Sequence, residues 1–289
     1  MSKHNEKNGN YFLRKGDRAM VSLGPLHSVK HCPYSCGFCY VQDDFNSYAS
    51  LPEDKIIEFL EENKALYKII YISGDTDSFA PPRTSRGLNL LLRISNNFNC
   101  DILFTTRTTF NEEQIELIKK VVKNQEKKGK KLYACISITR YSENLSYLEP
   151  NPIPSPDERI ETLKHLHSTG AVTILAMRPF LPVVPIKDYL KILEKSKSFI
   201  DIALGEHFYF IREGRIYQRV FPKGISKSIE KDITRGNKMS FDVNDSDWDI
   251  WYSRKYEKIV RKKCEVLGIT FSMHSDEAID NYIYKLSKY

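Results

Sequence analysis

Three cysteines stand close together near the start of the chain. They lie in the stretch from Cys32 to Tyr40, at C-x3-C-x2-C spacing, and Phe38 directly precedes the third of them, Cys39. Cysteine thiolates hold iron–sulfur clusters, and three of them can bind three of the four irons of a [4Fe-4S] cluster. The fourth iron then stays open to a substrate or cofactor, as the fourth position does in catalytic zinc sites. The loop therefore predicts a cluster with one open iron.

A zinc ion is the alternative occupant of this loop. Its fourth ligand would be His27 or His31, and His31 lies directly beside Cys32, which is sterically poor for joint ligation of one ion. The remaining cysteines, at 100, 135 and 264, are isolated in the sequence. A second full cluster would need three or four more grouped ligands, so we expect one cluster.

The composition is that of a globular protein. The 289 residues are 41% hydrophobic and 28% charged, and no apolar run approaches the ~18 residues that a membrane span needs. The first residues have no apolar core behind them and do not resemble a secretory signal, so we expect a cytoplasmic protein without a disulfide framework. A net charge of +7 mildly favours an anionic partner such as nucleic acid; an ordinary lysine-rich surface is the alternative.

One apolar strand precedes the cysteine loop, and after the loop amphipathic helices alternate with further apolar strands. The predicted strands cover residues 19–23, 68–74, 101–106, 132–138, 171–176 and 200–204, and the predicted helices cover residues 52–64, 84–97, 111–128, 155–169 and 186–198. Such alternation is typical of a parallel sheet with crossover helices. The predicted fold class is α/β, a partial (βα)6 barrel.

From His207 onward the alternation ends. Residues 208–212 and 215–220 flank Glu213-Gly214 and predict a hairpin, residues 222–247 read as a loop, and residues 248–267 and 275–286 predict helices. We therefore expect three parts: a flexible N-terminus over 1–17, the barrel over 18–206, and a small mixed C-terminal extension over 207–289 that closes or flanks the barrel.

The cysteine loop resembles the signature of the radical S-adenosylmethionine (SAM) superfamily, C-x3-C-x-aromatic-C after the first strand of a partial barrel. The resemblance implies that Cys32, Cys36 and Cys39 bind a [4Fe-4S] cluster whose open iron is chelated by SAM. It further implies an oxygen-sensitive enzyme in which one electron, from an external flavodoxin- or ferredoxin-type donor, breaks the S–C5′ bond of SAM. The resulting 5′-deoxyadenosyl radical abstracts hydrogen from a substrate.

Three further segments resemble the spore photoproduct lyase-like branch of this superfamily. They are T-D-S-F-A-P at 76–81, T-T-R at 105–107 and an E-P segment that runs from Glu149 to Arg159. With the positive charge, this favours a nucleic acid or nucleotide-like substrate. A peptide or small metabolite is the alternative substrate, and a non-enzymatic metal- or nucleic-acid-binding module is the alternative of another class.

Candidate site residues lie at the carboxyl ends of the predicted strands, where parallel barrels carry their sites. Arg107, Arg178, Glu206 and His207 are expected at the barrel mouth, and either arginine can pair with the SAM carboxylate or an anionic substrate group. The resemblance implies SAM contacts for the turn after the second strand and for Ser137. The full predicted cofactor-binding set is Phe38, Tyr40, Ser73, Gly74, Asp75, Ser137, Arg159 and Arg178.

Cys135 is the remaining candidate. Strand alternation places it on the same face as Ser137, which would let it donate a hydrogen atom to a product radical. A buried cysteine that serves only in packing is the alternative. The predicted catalytic residues are Cys135, Arg107 and Arg178.

Overall fold

The computed structural model describes residues 12–14, 18–23, 32–40, 52–74, 76–239 and 246–288. Its main sheet has eight strands, in the spatial order β1 (Phe12–Arg14), β2 (Arg18–Val21), β3 (Ile69–Ile72), β4 (Asp101–Thr106), β5 (Leu132–Ser137), β6 (Val172–Ala176), β7 (Ile202–Leu204) and β11 (Thr270–Ser272). The seven strands from β2 to β11 pair in parallel, and β1 pairs antiparallel with β2. In the described residues the edges β1 and β11 do not pair, so the barrel is open, and the predicted partial α/β barrel is confirmed.

Five helices cross between the parallel strands: α1 (Glu53–Glu62), α2 (Thr84–Asn97), α3 (Glu112–Lys127), α4 (Pro156–Ser168) and α5 (Ile186–Ser196). The start of α4 follows from its sequence, because the Ser155 hydroxyl accepts from the Glu158 backbone N–H and the Glu158 carboxylate accepts from the Ser155 N–H. This reciprocal cap, with proline at the first helical position, fixes where the helix begins. A 3₁₀ helix (Glu143–Leu148) precedes it.

The two faces of the sheet carry different side chains. On β5, Ala134 and Ile136 belong to the outer core under the helices, whereas Tyr133 and Cys135 belong to a cluster on the inner face. This is the alternation that the sequence predicts for the fourth parallel strand. Because of this alternation, the inner-face side chains nearest the carboxyl ends of the strands lie at the barrel mouth.

The C-terminal part has a different structure from the predicted one. Its elements are β8 (Phe208–Phe210), α6 (Arg215–Val220), α7 (Lys227–Glu230), β9 (Ile233–Asn237), β10 (Trp248–Trp251), α8 (Arg254–Leu267) and α9 (Ser275–Leu286). The strands β8, β10 and β9 form a second, antiparallel sheet in that order. Of the predicted elements, the final helix is confirmed.

Three C-terminal predictions are wrong. The hairpin does not form: residues 215–220 are helical, since Ile216 and Val220, four residues apart, are buried on one helix face, and β8 pairs with β10 instead. The predicted loop over 222–247 contains α7 and β9. The helix predicted to begin at Trp248 begins at Arg254, because all four residues of β10 are buried in the middle of the small sheet.

The end of the chain returns to the barrel. The strand β11, which the sequence analysis missed, extends the parallel sheet beside β7, and α9 packs Ala278 and Ile279 into the inner-face cluster. Arg18 on β2 donates from Nη1 to the Ser275 hydroxyl at 2.8 Å. Thus α9 covers the open side of the barrel. No helix in the described ranges has the length and apolar character needed to cross a membrane.

Candidate active site

A cavity of about 290 Å³ lies at the carboxyl ends of the barrel strands and reaches into the lumen. It is lined by nearly all of the predicted site residues, namely Cys32, Cys36, Phe38, Cys39, Tyr40, Ser73, Gly74, Arg107, Cys135, Ser137 and Arg178. Arg159 does not line it, and Asp75 lies outside the described residues. Of the other two residues expected at the mouth, Glu206 lines the cavity, and His207 lies outside its lining with Nδ1 3.1 Å from the Ser253 hydroxyl.

The cysteine loop is held by its own backbone and by its neighbours. The Gly37 N–H donates to the Leu148 carbonyl at 2.8 Å, and the Cys39 N–H donates to the Cys36 carbonyl at 3.2 Å. The backbone N–H groups of Tyr34 and Asp77 hydrogen-bond to the Cys32 sulfur. Such hydrogen bonds are characteristic of sulfurs that bind iron–sulfur clusters, where they tune the reduction potential.

Cys36 is buried, and Cys32 and Cys39 are half-buried. Burial raises the pKa of Cys32 to about 12 and raises the pKa of Cys36 as well. The free thiols of Cys32 and Cys36 are therefore protonated at neutral pH, and a metal must displace those protons on binding. Cys36 lies in the field of Arg107, whose positive charge opposes the burial effect.

The donor set fits a [4Fe-4S] cluster. Three thiols on one loop line the same cavity, in which each can bind a separate iron. In the part of the chain that the structure describes, no three His, Cys, Asp or Glu side chains are grouped around a single metal position. His27 and His31, the ligands of the zinc alternative, lie outside the described residues.

Asp77 is a site residue that the sequence analysis did not single out. It lines the cavity, and its carboxylate accepts from the Thr106 hydroxyl and from the backbone N–H groups of Phe79 and Arg107 at 2.8–3.0 Å. Burial raises the pKa of Asp77, although these hydrogen bonds oppose the rise. The T-D-S-F-A-P segment was the signal that could have identified it.

Arg107 connects the cysteine loop to a second buried acid, Glu149. Its guanidinium lies 5.4 Å from the centre of the Phe38 ring, close enough for a cation–π contact, and its Nε is 3.4 Å from Glu149 Oε1. The side chain of Arg107 is thereby fixed between the aromatic residue of the loop and a buried carboxylate.

Arg159 lies behind the cavity wall. It is fully buried, pairs with Glu149 at 2.6 Å and donates from Nη1 to the Ser137 carbonyl at 2.6 Å. Burial alone would raise the pKa of Glu149, but Arg159 and Arg107 outweigh it and lower the pKa to about 2. Arg159 thus holds the backbone of Ser137, which itself lines the cavity.

The lumen beneath the mouth contains a small polar group around Cys135. The Tyr71 hydroxyl lies 3.0 Å from the Thr105 hydroxyl, and Thr105 also hydrogen-bonds to the Cys135 sulfur. Burial raises the pKa of Cys135, so the thiol keeps its hydrogen at neutral pH. Cys135 and Ser137 both line the cavity, on the face that the alternation predicts.

Two further arginines line the cavity, and each lies near an acid. Arg178 Nε lies 3.6 Å from Glu206, and Arg18 Nη2 lies 3.9 Å from Asp276. Arg18 is 6% exposed, and among the described residues its Nε and Nη2 have no hydrogen-bond partner. Buried guanidinium groups normally have close anionic partners, so these long ion pairs leave room for a further anion.

Arg18 is the other site residue that the sequence analysis missed. It is the one charged residue in the strand Arg18–Val21, where the other three side chains are apolar. A charge on a buried strand was the available signal.

The sequence from residue 27 to residue 196 matches the family model of the Radical SAM superfamily. The chain belongs to this superfamily, whose members are enzymes that use a [4Fe-4S] cluster and SAM. The resemblance of the cysteine loop is confirmed, and the non-enzymatic binding module is excluded.

Several solved structures share the fold. A spore photoproduct lyase variant with bound AdoMet and dinucleoside spore photoproduct aligns with a TM-score of 0.60 at 13% identity, over 88% of this chain and 82% of that one. SuiB of Streptococcus suis bound to S-adenosylmethionine aligns with a TM-score of 0.58 at 13% identity, over 89% of this chain and 50% of that one. The chain thus spans about half the length of SuiB. No curated protein sequence matches this chain.

Proposed function

We propose that this enzyme cleaves SAM reductively at a [4Fe-4S] cluster held by Cys32, Cys36 and Cys39, and that the radical acts on an anionic substrate of the nucleotide or nucleic acid class. The main supporting observation is that the three cysteines line one cavity together with Arg178 and with Arg18, two of whose guanidinium nitrogens have no hydrogen-bond partner among the described residues. When bound, the cluster and SAM supply the 5′-deoxyadenosyl radical. The chain positions the reactants and excludes water.

The residues around the cavity have different roles in binding the cofactor and in the reaction. Ser73 and Gly74, which follow β3, would meet the SAM amino group, while Ser137, whose carbonyl accepts from Arg159, would meet its ribose. Arg107 keeps its contacts with Phe38 and Glu149 beside the cysteine loop. Phe38 and Tyr40 would form the cavity wall next to the bound cofactor. Cys135 keeps its thiol hydrogen through burial and would donate it to a substrate radical.

The anionic substrate is supported by the lumen charges. Arg18 and Arg178 present guanidinium groups to the cavity, and guanidinium groups match phosphate and carboxylate oxygens in bidentate geometry. Among the structures with this fold, spore photoproduct lyase has been seen with a dinucleoside photoproduct. A peptide substrate is the second candidate, because SuiB has been seen with a precursor peptide.

The cofactor part is tested by anaerobic reconstitution with iron and sulfide, followed by dithionite and SAM. We expect cluster absorbance and 5′-deoxyadenosine with the wild type, loss of both in Cys36→Ala, and retention of both in Cys264→Ala, which removes a buried cysteine of α8 that does not line the cavity. Absence of 5′-deoxyadenosine from the wild type, or unchanged absorbance in a Cys32→Ala/Cys36→Ala/Cys39→Ala variant, would contradict the proposal.

The substrate part is tested by measuring SAM cleavage with and without DNA, RNA, peptide and metabolite pools. We expect stimulation by a nucleic acid or nucleotide fraction, and we expect Arg18→Gln to abolish the stimulation while basal cleavage remains. No stimulation by any nucleic acid or nucleotide would favour the peptide or small-metabolite alternative. An oxygen-sensitive cluster together with six free cysteines suits a reducing compartment, so we place the enzyme in the cytoplasm.

A further inference from the structure

A second, open concavity lies on the outer side of the cysteine loop. This outer groove has a volume of about 860 Å³ and is lined mainly by apolar side chains. Tyr147 and Pro150 form one wall, Val183 lies beside them, and the segment from Gln218 to Ile229 forms the other wall. Ser35 and Gly37 of the cysteine loop also line it.

The cysteine loop therefore has two accessible sides. Cys36 and Phe38 line the inner cavity, while their neighbours Ser35 and Gly37 line the outer groove. Gly37 has no side chain, and a Cβ built there would lie 3.6 Å from the Arg219 Cβ. A molecule in the outer groove thus approaches the backbone on either side of Cys36 without entering the cavity.

The second wall of the outer groove is basic. Between Gly214 and Ile229 the sequence has four basic residues and no acidic one. These residues, Arg215, Arg219, Lys223 and Lys227, are all exposed, and Arg219 and Lys223 line the groove itself. The acids that flank this stretch are Glu213 and Glu230, and Glu230 pairs with Arg212 and Arg235. An apolar floor with a basic rim is suited to an acidic protein surface.

We propose that the outer groove is the docking surface for an acidic one-electron carrier protein of the flavodoxin or ferredoxin type. This inference rests on the proposed function, which consumes one electron for each SAM cleaved. The carrier gives up one electron and is oxidised, and the cluster is reduced from the 2+ to the 1+ state. The reductant then never competes with substrate, since the two approach opposite sides of one loop.

A nucleic acid is the competing occupant of a basic groove. A nucleic acid substrate is disfavoured as the occupant of the outer groove. The substrate atom that loses hydrogen must lie inside the cavity, and the outer groove is on the other side of the cysteine loop. The floor is also built from Val183, Val220, Phe221 and Ile229, and Tyr147 is the one exposed ring among the lining residues. Single strands instead bind on platforms of several stacked aromatic rings.

The test compares two charge reversals of equal size. Arg219→Glu/Lys223→Glu reverses the groove rim, and Lys120→Glu/Lys123→Glu reverses two exposed lysines around α3 as the control. Each reconstituted protein is assayed for 5′-deoxyadenosine with dithionite, with enzymatically reduced flavodoxin and with reduced ferredoxin. The affinity of oxidised flavodoxin for each cluster-free protein is measured in parallel on a biosensor at low and high salt.

We expect the groove variant to lose at least ~10-fold in flavodoxin affinity and in carrier-driven rate at low salt, with its dithionite-driven rate and the control variant unchanged. The inference is overturned if carrier-driven rate and affinity are unchanged, if the dithionite-driven rate falls equally, or if only the binding of a DNA or RNA oligonucleotide weakens. A wild type that makes no 5′-deoxyadenosine with dithionite would instead refute the proposed function, which separates the two failures.

Discussion

Glu149 is the buried carboxylate at which three arginines meet. Arg159, Arg107 and Arg140 lie 2.6, 3.4 and 3.8 Å from its oxygens, and the Thr139 hydroxyl donates to it at 2.7 Å. Because the acid is fully buried, these groups balance its charge within the part of the chain that the structure describes. The same contacts fix Arg107 beside the cysteine loop and Arg159 behind Ser137.

Glu149→Gln leaves these arginines without their shared counter-charge. Removing one partner of a buried ion pair costs ~3–5 kcal/mol, so we expect the free energy of unfolding of the cluster-free protein to fall by that amount in urea titrations. Glu161→Gln, which removes an exposed carboxylate paired with Lys164 at 2.8 Å, should cost under ~1 kcal/mol. Equal losses in the two variants would contradict the role assigned to Glu149.

The same acid predicts a pH dependence of stability. Its pKa is about 2 in the folded protein against an ordinary value of 4.5, so the folded state favours the ionised form. This stabilisation is fully present above pH ~4.5 and is lost as pH falls toward 2. Urea titrations between pH 6 and 3 should therefore show a smaller decline in Glu149→Gln than in the wild type, and parallel declines would contradict it.

The residues of the site differ in how far the sequence could identify them. The cysteine loop was predictable because its ligands are local in the chain, and Cys135 and Ser137 were placed by strand alternation alone. Arg159 was assigned to the cofactor, but nothing local shows that it pairs with Glu149 behind the wall. The Arg18 contact joins residues 257 positions apart, and no local pattern encodes such a pairing.

At the scale of elements, α9 replaces the missing part of the barrel wall. Ile279 is 1% exposed in the inner-face cluster, whereas Ile283, one turn later, is 47% exposed. Ile279→Ala should therefore cost ~2–5 kcal/mol of unfolding free energy, and Ile283→Ala should cost no more than ~0.5 kcal/mol. Denaturant titration of both variants measures these two losses. If Ile279→Ala lowers the unfolding free energy no more than Ile283→Ala does, α9 does not stabilise the open side of the barrel.

The helices and strands were predicted correctly where the hydrophobic period and the length of a segment both indicate the same type of element. The barrel helices are long and amphipathic, and their strands are apolar throughout, as buried parallel strands are. The C-terminal errors have the opposite origin. The apolar residues of 215–220 fit the helical period as well as the strand period. The strand β10 is followed so closely by α8 that the sequence of the two predicts one helix. The strand β11 has only three residues, so its formation depends on pairing with the edge of β7.

At the scale of the whole molecule, barrel and extension share one core. Phe208, Trp248 and Phe271 from the extension belong to the same hydrophobic cluster as Ile136 and Leu175 of the barrel, and β11 pairs with β7. A division into independently stable units at residue 206 would expose the edge of β7 and open this cluster. The two parts should therefore unfold together.

The positions of the tryptophans make this testable. Both tryptophans of the chain, Trp248 and Trp251, lie in β10, so tryptophan fluorescence reports on the extension, whereas far-UV circular dichroism is dominated by the barrel helices. In urea titrations of the cluster-free protein we expect the two signals to give the same midpoint, as a single cooperative transition requires. Phe271→Ala, which weakens the contact between the parts, should lower both midpoints together. A fluorescence transition that precedes the circular dichroism transition would show instead that the extension is a separate unit on a barrel that stands without it.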